Sequence, residues 1–374
     1  MAKAVYVGVG SKARKMKKAY IGIGGKARKV KKMYIGVGGK ARLCYSAELE
    51  KVGMATALST TRYDMRAATV GKYALFAGGY ISKSSFGYSV SSSVDAYNTS
   101  LTKSTPTELS CKRCGHAAAS VGGYALFAGG ASSYNILGFY ENLVSAVDAY
   151  DASLTRSAAH IIGATVAIGG AAVGNYALFA GGTVYSQVNK DNVTSDVLAY
   201  DPSLTFTTAP LLSVARANVK GASAGNYALF AGGRAGSFCT TVDAYNASLT
   251  RTTATALSST KNNSAAATVG NHAIFVGNTA SADIYDASLT KTSAAILSTA
   301  RTGLAATTVG DYAIFSGGGV ADFCDASLTR SNIGTSMTGY DMGAATIGDY
   351  ALFAGGHSGE KSDTAYDSVE VYTA

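Results

Sequence analysis

Tyr73 to Gly79 reads Y-A-L-F-A-G-G, and this stretch decides the fold because it returns along the chain. It recurs at Tyr124 to Gly130, Tyr176 to Gly182, Tyr227 to Gly233 and Tyr350 to Gly356. Looser copies are H-A-I-F-V-G-N from His272 and Y-A-I-F-S-G-G from Tyr312. The seven starts are separated by 51, 52, 51, 45, 40 and 38 residues. A motif returning at such an interval marks a repeat architecture, and that period overrides local propensity.

Each copy reads as a strand: a short apolar run, a Gly-containing polar pair before it and usually two glycines after it. An uninterrupted apolar run suits a strand buried on both faces. A second phrase follows in every unit: V-D-A-Y at Val94, Val147 and Val242, V-L-A-Y at Val197, A-D-I-Y at Ala282, A-D-F-C at Ala321 and V-E-V-Y at Val369. Six of the seven continue into S-L-T. Eleven residues before the glycine strand stand Arg62, Arg113, Arg216, Lys261 and Arg301 in five units, with Thr165 and Gly339 in the other two.

One unit therefore holds about four short strands in roughly 40 to 50 residues, the sheet of one propeller blade. The phrase order (upstream Arg, strand ending Gly-Gly, acidic-x-Tyr strand) resembles the kelch repeat over Arg62 to Ala374. The chain has no tryptophan where kelch repeats usually carry one, so the resemblance is kelch-like. It implies an all-β, seven-bladed β-propeller. Thr165 to Gly182 is uncharged and mostly apolar, but it contains a repeat copy and several glycines, so it reads as a blade and no membrane insertion is expected. No secretory signal pattern is read either.

Residues 1–43 differ in kind. They hold 13 Lys or Arg and no acid, leaving 19 basic against 23 acidic residues, a net −4, in the rest. A fourteen-residue unit repeats three times, from Tyr6, Tyr20 and Tyr34, each followed by a basic K-A-R containing Arg14, Arg28 or Arg42. Alternation at Val5, Val7 and Val9 against Tyr6, Gly8 and Gly10 predicts strand, with turns at Gly24-Gly25 and Gly38-Gly39. A solvated basic tail, a binder of nucleic acid or an anionic surface, and a β-structured assembly element all fit the charge. The strict Tyr-aliphatic-Gly pattern favours the last. The Y-I-G-x-G-G-K-A-R wording resembles segments of structural proteins of tailed phages and prophages of Gram-positive bacteria.

The two expected domains are a basic β arm, 1–43, and the propeller, 44–374. Y-S-A-E-L at Tyr45 matches Y-N-A-S-L at Tyr245, and the last unit stops where a fourth strand is due. Residues 46–58 are therefore expected to supply the outer strand of the seventh blade, which would remove an exposed edge.

Residues pointing to catalysis are few. His116, His160, His272 and His357 have no partner at ligand spacing, and His272 holds a tyrosine slot. Cys111 and Cys114 form a lone C-x-x-C, read as a loop pair, with a labile disulfide or a metal as alternatives. Cys324 fills another tyrosine slot. Scattered cysteines suit a reducing compartment. No enzyme, cofactor or metal is expected, and a copper-oxidase site on the kelch pattern cannot be assembled.

The informative asymmetry is insert length. Between the glycine strand and the D-A-Y strand, units one to three insert Tyr80 to Ser93, Ala131 to Ala146 and Thr183 to Asp196; later inserts shrink, until His357 to Ser368. They carry Tyr80, Phe86, Tyr88, Tyr134, Phe139, Tyr140 and Tyr185 among Ser, Gly and Asn. Rigid aromatics among small polar residues form a binding composition, here a candidate ligand face. With the phage resemblance, this implies a virion protein, tail-fibre-like or head-fibre-like. Its arm (Tyr6, Tyr20, Tyr34, Arg14, Arg28, Arg42) would dock on other virion proteins, as a homo-oligomer. Its propeller would bind cell-surface carbohydrate or protein. The alternative is an intracellular interaction module whose arm binds nucleic acid or an acidic partner.

Overall fold

The computed structural model describes residues 6–9, 12–15, 19–23, 26–30, 32–37, 40–46, 49–84, 87–135, 140–184, 192–261, 265–359 and 364–374. Among them there is no helix, and the body is propeller-like, with eight four-stranded antiparallel sheets.

Seven sheets follow the repeat. In the first, Arg66–Val70, Tyr73–Ala77, Val94–Asn98 and Lys103–Ser104 pair in chain order. Units two to six repeat this order, with first strands beginning at Ala117, Gly169, Lys220, Ala265 and Ala305. In the last sheet Gly343–Ile347, Tyr350–Ala354 and Val369–Thr373 are joined by Glu50–Ala55, Val369 lying opposite Ala55 and Thr373 opposite Glu50.

The repeated phrases are packing instructions. Leu75 and Phe76 are fully buried, as are their equivalents Leu126 and Phe127; each such side chain contributes about 1.5–3 kcal/mol. The tyrosine of D-A-Y meets that phenylalanine edge-on, Phe76 to Tyr97 at 5.9 Å and Phe127 to Tyr150 at 5.9 Å. Its hydroxyl donates to a carbonyl in the preceding connection, Tyr97 to Thr56 at 2.7 Å and Tyr150 to Thr107 at 2.8 Å. Gly79 (φ +98°) lies so close to the chain before the first strand that a Cβ would sit 2.5 Å from the Tyr63 carbonyl.

In the following turn the Asp151 side chain accepts the Ser153 and Thr155 amides at 2.8 and 2.9 Å. This clamp holds Leu154 at φ +65°, a conformation leucine rarely adopts, and packs it on the preceding unit's core. Apolar clusters bridge consecutive units throughout. One joins the last to the first, placing Ile347, Leu352 and Val371 with Met65, Phe76 and Tyr97.

The first strands gather around a channel. At their fourth position Thr69 Oγ1 donates to the Thr346 carbonyl (2.8 Å), Ser120 to Thr69 (2.7 Å), Ser223 to Ala172 (2.7 Å) and Thr268 to Ser223 (3.0 Å). Thr308 donates to the Thr268 carbonyl and Thr346 to Thr308.

The eighth sheet is not part of the repeat. It takes Tyr80–Ser84 and Gly87–Val90 from the first insert and Ala131–Tyr134 and Tyr140–Leu143 from the second, joined through Tyr88 opposite Tyr134.

In the arm each fourteen-residue repeat is one hairpin: Tyr6–Val9 with Lys12–Lys15, Tyr20–Ile23 with Lys26–Lys29, and Lys32–Val37 with Lys40–Ser46. Tyr6 lies opposite Lys15, Val7 opposite Arg14, Tyr20 opposite Lys29, Ile21 opposite Arg28, Tyr34 opposite Leu43 and Ile35 opposite Arg42. The turns expected at 24–25 and 38–39 lie outside the described residues.

Candidate functional site

The residue after the glycine pair is the root of each insert, and it bridges to the chain just after the upstream basic position. Tyr80 pairs with Tyr63, Ala131 with Cys114, Thr183 with Val166, Arg234 with Ala217 and His357 with Tyr340. Where both members are aromatic the rings meet. Tyr63 stacks on Tyr80 at 5.2 Å and touches His357 at 4.7 Å. Tyr80 contacts Tyr88 and Tyr134 at 5.5 Å each; Tyr134 contacts Tyr88 at 5.2 Å and Tyr140 at 4.9 Å.

An arc of rings therefore runs from the seventh insert across the eighth sheet. Tyr80 is buried, while Tyr88, Tyr134 and Tyr140 are half-buried, with rings packed on one another. Desolvation pushes the phenols of Tyr80, Tyr134 and Tyr140 above their ordinary range, so they stay neutral hydrogen-bonding groups. Phe86, Phe139 and Tyr185 lie outside the described residues.

Sequence reading did not include Tyr63, Tyr340 or His357 in this face. Tyr63 and Tyr340 each follow the upstream basic position by one residue, and that offset was the available signal. His357 donates or accepts with Asp341 at 3.1 Å, a pairing not evident from spacing, and that carboxylate raises its pKa.

The upstream basic residues anchor the inserts. Fully buried Arg62 pairs with Asp95, and its Nη1 donates to Gly78 O at 3.2 Å and Ser93 O at 2.6 Å, the two ends of the first insert. Arg113 does the same with Asp148 and with Gly129 O (3.3 Å) and Ala146 O (2.9 Å), bounding the second insert. Further pairs are Arg216–Asp243 at 2.9 Å, Lys261–Asp283 at 3.5 Å and Arg301–Asp322 at 2.7 Å.

Each aspartate also meets a cation from the fourth strand or its start, such as Arg156 at 2.8 Å or Arg251 at 3.2 Å. Each accepts as well from a serine three residues before the basic position, such as Ser110 or Ser213. The third unit replaces the whole set with Ile162, Thr165, Leu198 and Phe206. In the seventh, buried Glu370 accepts from Ser336 at 2.6 Å and Tyr372 at 2.7 Å and pairs with Lys51.

Cys111 and Cys114 are free thiols, and Cys114 Sγ donates to Ala131 O at 3.5 Å. Cys114 is buried beneath the arc, and burial pushes its thiol up to about 12, an inert position. Cys324 is buried in the core between units five and six. No group of three or more His, Cys, Asp or Glu suited to a metal occurs among the described residues.

His116 is fully buried where five of the six equivalent positions carry Met65, Ile168, Val219, Leu304 and Met342, the sixth being Ser264 in the sequence. Neither ring nitrogen finds a partner of ordinary hydrogen-bond geometry. Burial, with Arg113 and Arg66 nearby, holds its pKa well below the usual histidine range. The unfolded chain then binds a proton that the native one refuses. Stability on this account is full above the unfolded value near ~6.5 and falls as pH drops below it, by up to about 1.4 kcal/mol per pH unit, until the folded value is reached. His357, with its raised pKa, acts in the opposite sense, losing stabilisation as pH rises through its folded value. Comparing His116→Met with the parent by thermal melts between pH 7 and 5 isolates the first effect: the variant is expected to lose less. Parallel pH profiles would refute it.

No protein-family model matches the chain, and no curated protein sequence matches it.

Proposed function

We propose that the protein is a binding module: a closed, seven-bladed kelch-like propeller that presents the aromatic arc, carried on the basic hairpin arm. Ring closure is supported by the cluster uniting the first and last units, by the Thr69–Thr346 bond and by Glu50–Ala55 on the seventh sheet. The observation that carries the binding role is the eighth sheet. Two inserts from separate units build one platform whose ends are held by buried arginines, and half-buried tyrosines line it. Such rings offer flat apolar contact and hydroxyl partners together, which suits sugar rings or a protein epitope.

The arm resembles phage structural segments, and its hairpins repeat one register three times. In this reading it docks on other virion proteins, the chain is a homo-oligomeric head- or tail-fibre-like appendage, and the propeller attaches to a host surface. The alternative, an intracellular module whose arm holds nucleic acid, is separated by gel filtration with and without nuclease. A nuclease-insensitive oligomer supports docking; co-eluting nucleic acid supports the alternative.

The face is tested by pull-down on a panel of Gram-positive cell walls. Tyr88→Ala with Tyr140→Ala is expected to weaken attachment roughly thirty-fold, as for a hot spot worth ~2 kcal/mol. Both rings also pack on Tyr134, so melting falls too. Val309→Ala, a core cavity in the sixth unit, is the matched control: it lowers melting and leaves attachment intact. Attachment unchanged by the tyrosine variant would overturn the assignment.

A further inference from the structure

The seven first strands begin at Arg66, Ala117, Gly169, Lys220, Ala265, Ala305 and Gly343, at the insert-bearing end of the channel. This layer and the next are nearly all Gly and Ala because the strands crowd: a Cβ on Gly170 would meet Ala118 O at 2.4 Å, and one on Gly221 would meet Gly170 O at 2.1 Å. Two long cations in such a layer, in the first and fourth units, are not explained by packing. Five other units close the same layer with a methyl group or a hydrogen.

Both cations line a cavity of about 210 Å³ whose other walls are largely Ala and Gly. Their partners are unequal. Arg66 donates Nε to His116 O at 2.9 Å and Nη1 to Asp64 Oδ1 at 2.7 Å, which leaves Nη2. Lys220 Nζ makes no hydrogen bond or ion pair among the described residues. The nearby carboxylates are engaged elsewhere, Asp64 by Arg66 and Asp341 by His357 at 3.1 Å. Lys220 Nζ therefore stands at the cavity with no direct partner, Asp64 and Asp341 acting on it only at a distance, and a donor left so is open to an anionic ligand.

We propose that this end of the channel binds a small monocarboxylate, its oxygens taken by Lys220 Nζ and Arg66 Nη2 and its short apolar tail lying against Ala117, Ala265 and Ala305. A monocarboxylate offers two oxygens to the two donors and a short tail to the Ala walls, which a phosphate, polar on every side, does not. Burial and the Arg66 charge hold the Lys220 pKa below its ordinary value, a cost that a bound carboxylate relieves. The site is separate from the aromatic arc, so either can fail without the other.

The test uses the full chain with sodium acetate or butyrate against sodium chloride at matched ionic strength, with phosphate as a further arm. Melting temperature and calorimetric binding are read. Acetate and butyrate are expected to raise the melting temperature saturably, as a ligand of the native state does. Lys220→Ala, the residue that three other units carry there, is expected to weaken binding roughly tenfold or more, while Lys72→Ala, at an exposed turn, leaves it unchanged. An equal response to chloride, stronger binding of phosphate, no saturable response, or full binding by Lys220→Ala would each overturn the proposal. Should Lys220→Ala not fold, Lys220→Met replaces it under the same criteria.

Discussion

A chain lacking residues 1–58 is expected to melt at least about 10 °C below the full-length protein, whereas one lacking residues 1–42 melts within about 2 °C of it. The longer deletion removes Glu50–Ala55, the outer strand on Val369–Thr373. With it go the buried side chains of Leu49 and Leu58, whose loss costs roughly 2–5 kcal/mol each. The Thr56 carbonyl that accepts from Tyr97 and the Leu58 amide that donates to Asp367 O at 2.8 Å are lost as well. Buried Glu370 loses Lys51. The bare edge of Val369–Thr373 is then free to pair with another chain, so aggregation on gel filtration accompanies the fall. The shorter deletion takes strands that, among the described residues, form two-stranded sheets of their own. Equal melting of the two truncations would mean that residues 50–55 do not hold the seventh sheet.

The second large effect concerns the buried ion pairs. Asp243→Leu is expected to destabilise the protein by about 3–5 kcal/mol, because fully buried Arg216 keeps its charge and loses its counter-ion. Four changes together, Ser213→Ile, Arg216→Thr, Asp243→Leu and Arg251→Phe, copy the third unit and are expected to recover all but roughly 1–2 kcal/mol. Removing both charges removes the desolvation cost along with the attraction, and Ile162, Thr165, Leu198 and Phe206 already fill that volume in a native unit. Chemical denaturation of the single and fourfold variants decides it. A fourfold variant no more stable than Asp243→Leu would mean that the carbonyl bonds of Arg216, such as Nε to Gly232 O at 2.8 Å, outweigh its charge.

The strands of the repeat were legible because each is encoded locally, by an apolar run closed with glycines. Insert length was legible too, and it located the two segments that make the eighth sheet. Their strand character was not: Tyr80–Ser84 and Ala131–Tyr134 are rich in serine, with little alternation, and they become strands by pairing on Gly87–Val90 and Tyr140–Leu143 within their own inserts, the two inserts joining through Tyr88 opposite Tyr134. The link between Arg62 and Asp95 spans 33 residues, beyond any spacing rule, yet it left a trace. The third unit loses its basic residue at Thr165 and its acid at Leu198 together, as only partners need do. His116 carried no trace, since a histidine in an apolar slot looks alike whether or not its nitrogens find partners.

By itself the sequence determined a chain of near-identical sheets, a basic arm of repeated strands and a cluster of tyrosines in the long inserts, because periodicity, charge and composition act along the chain. Only the tertiary structure decided that these tyrosines pack ring on ring, that the arginines hold the insert ends, and that Lys220 lines a cavity without a direct partner. Those facts depend on which distant residues share one small volume, and burial there sets the cost of every unmatched charge.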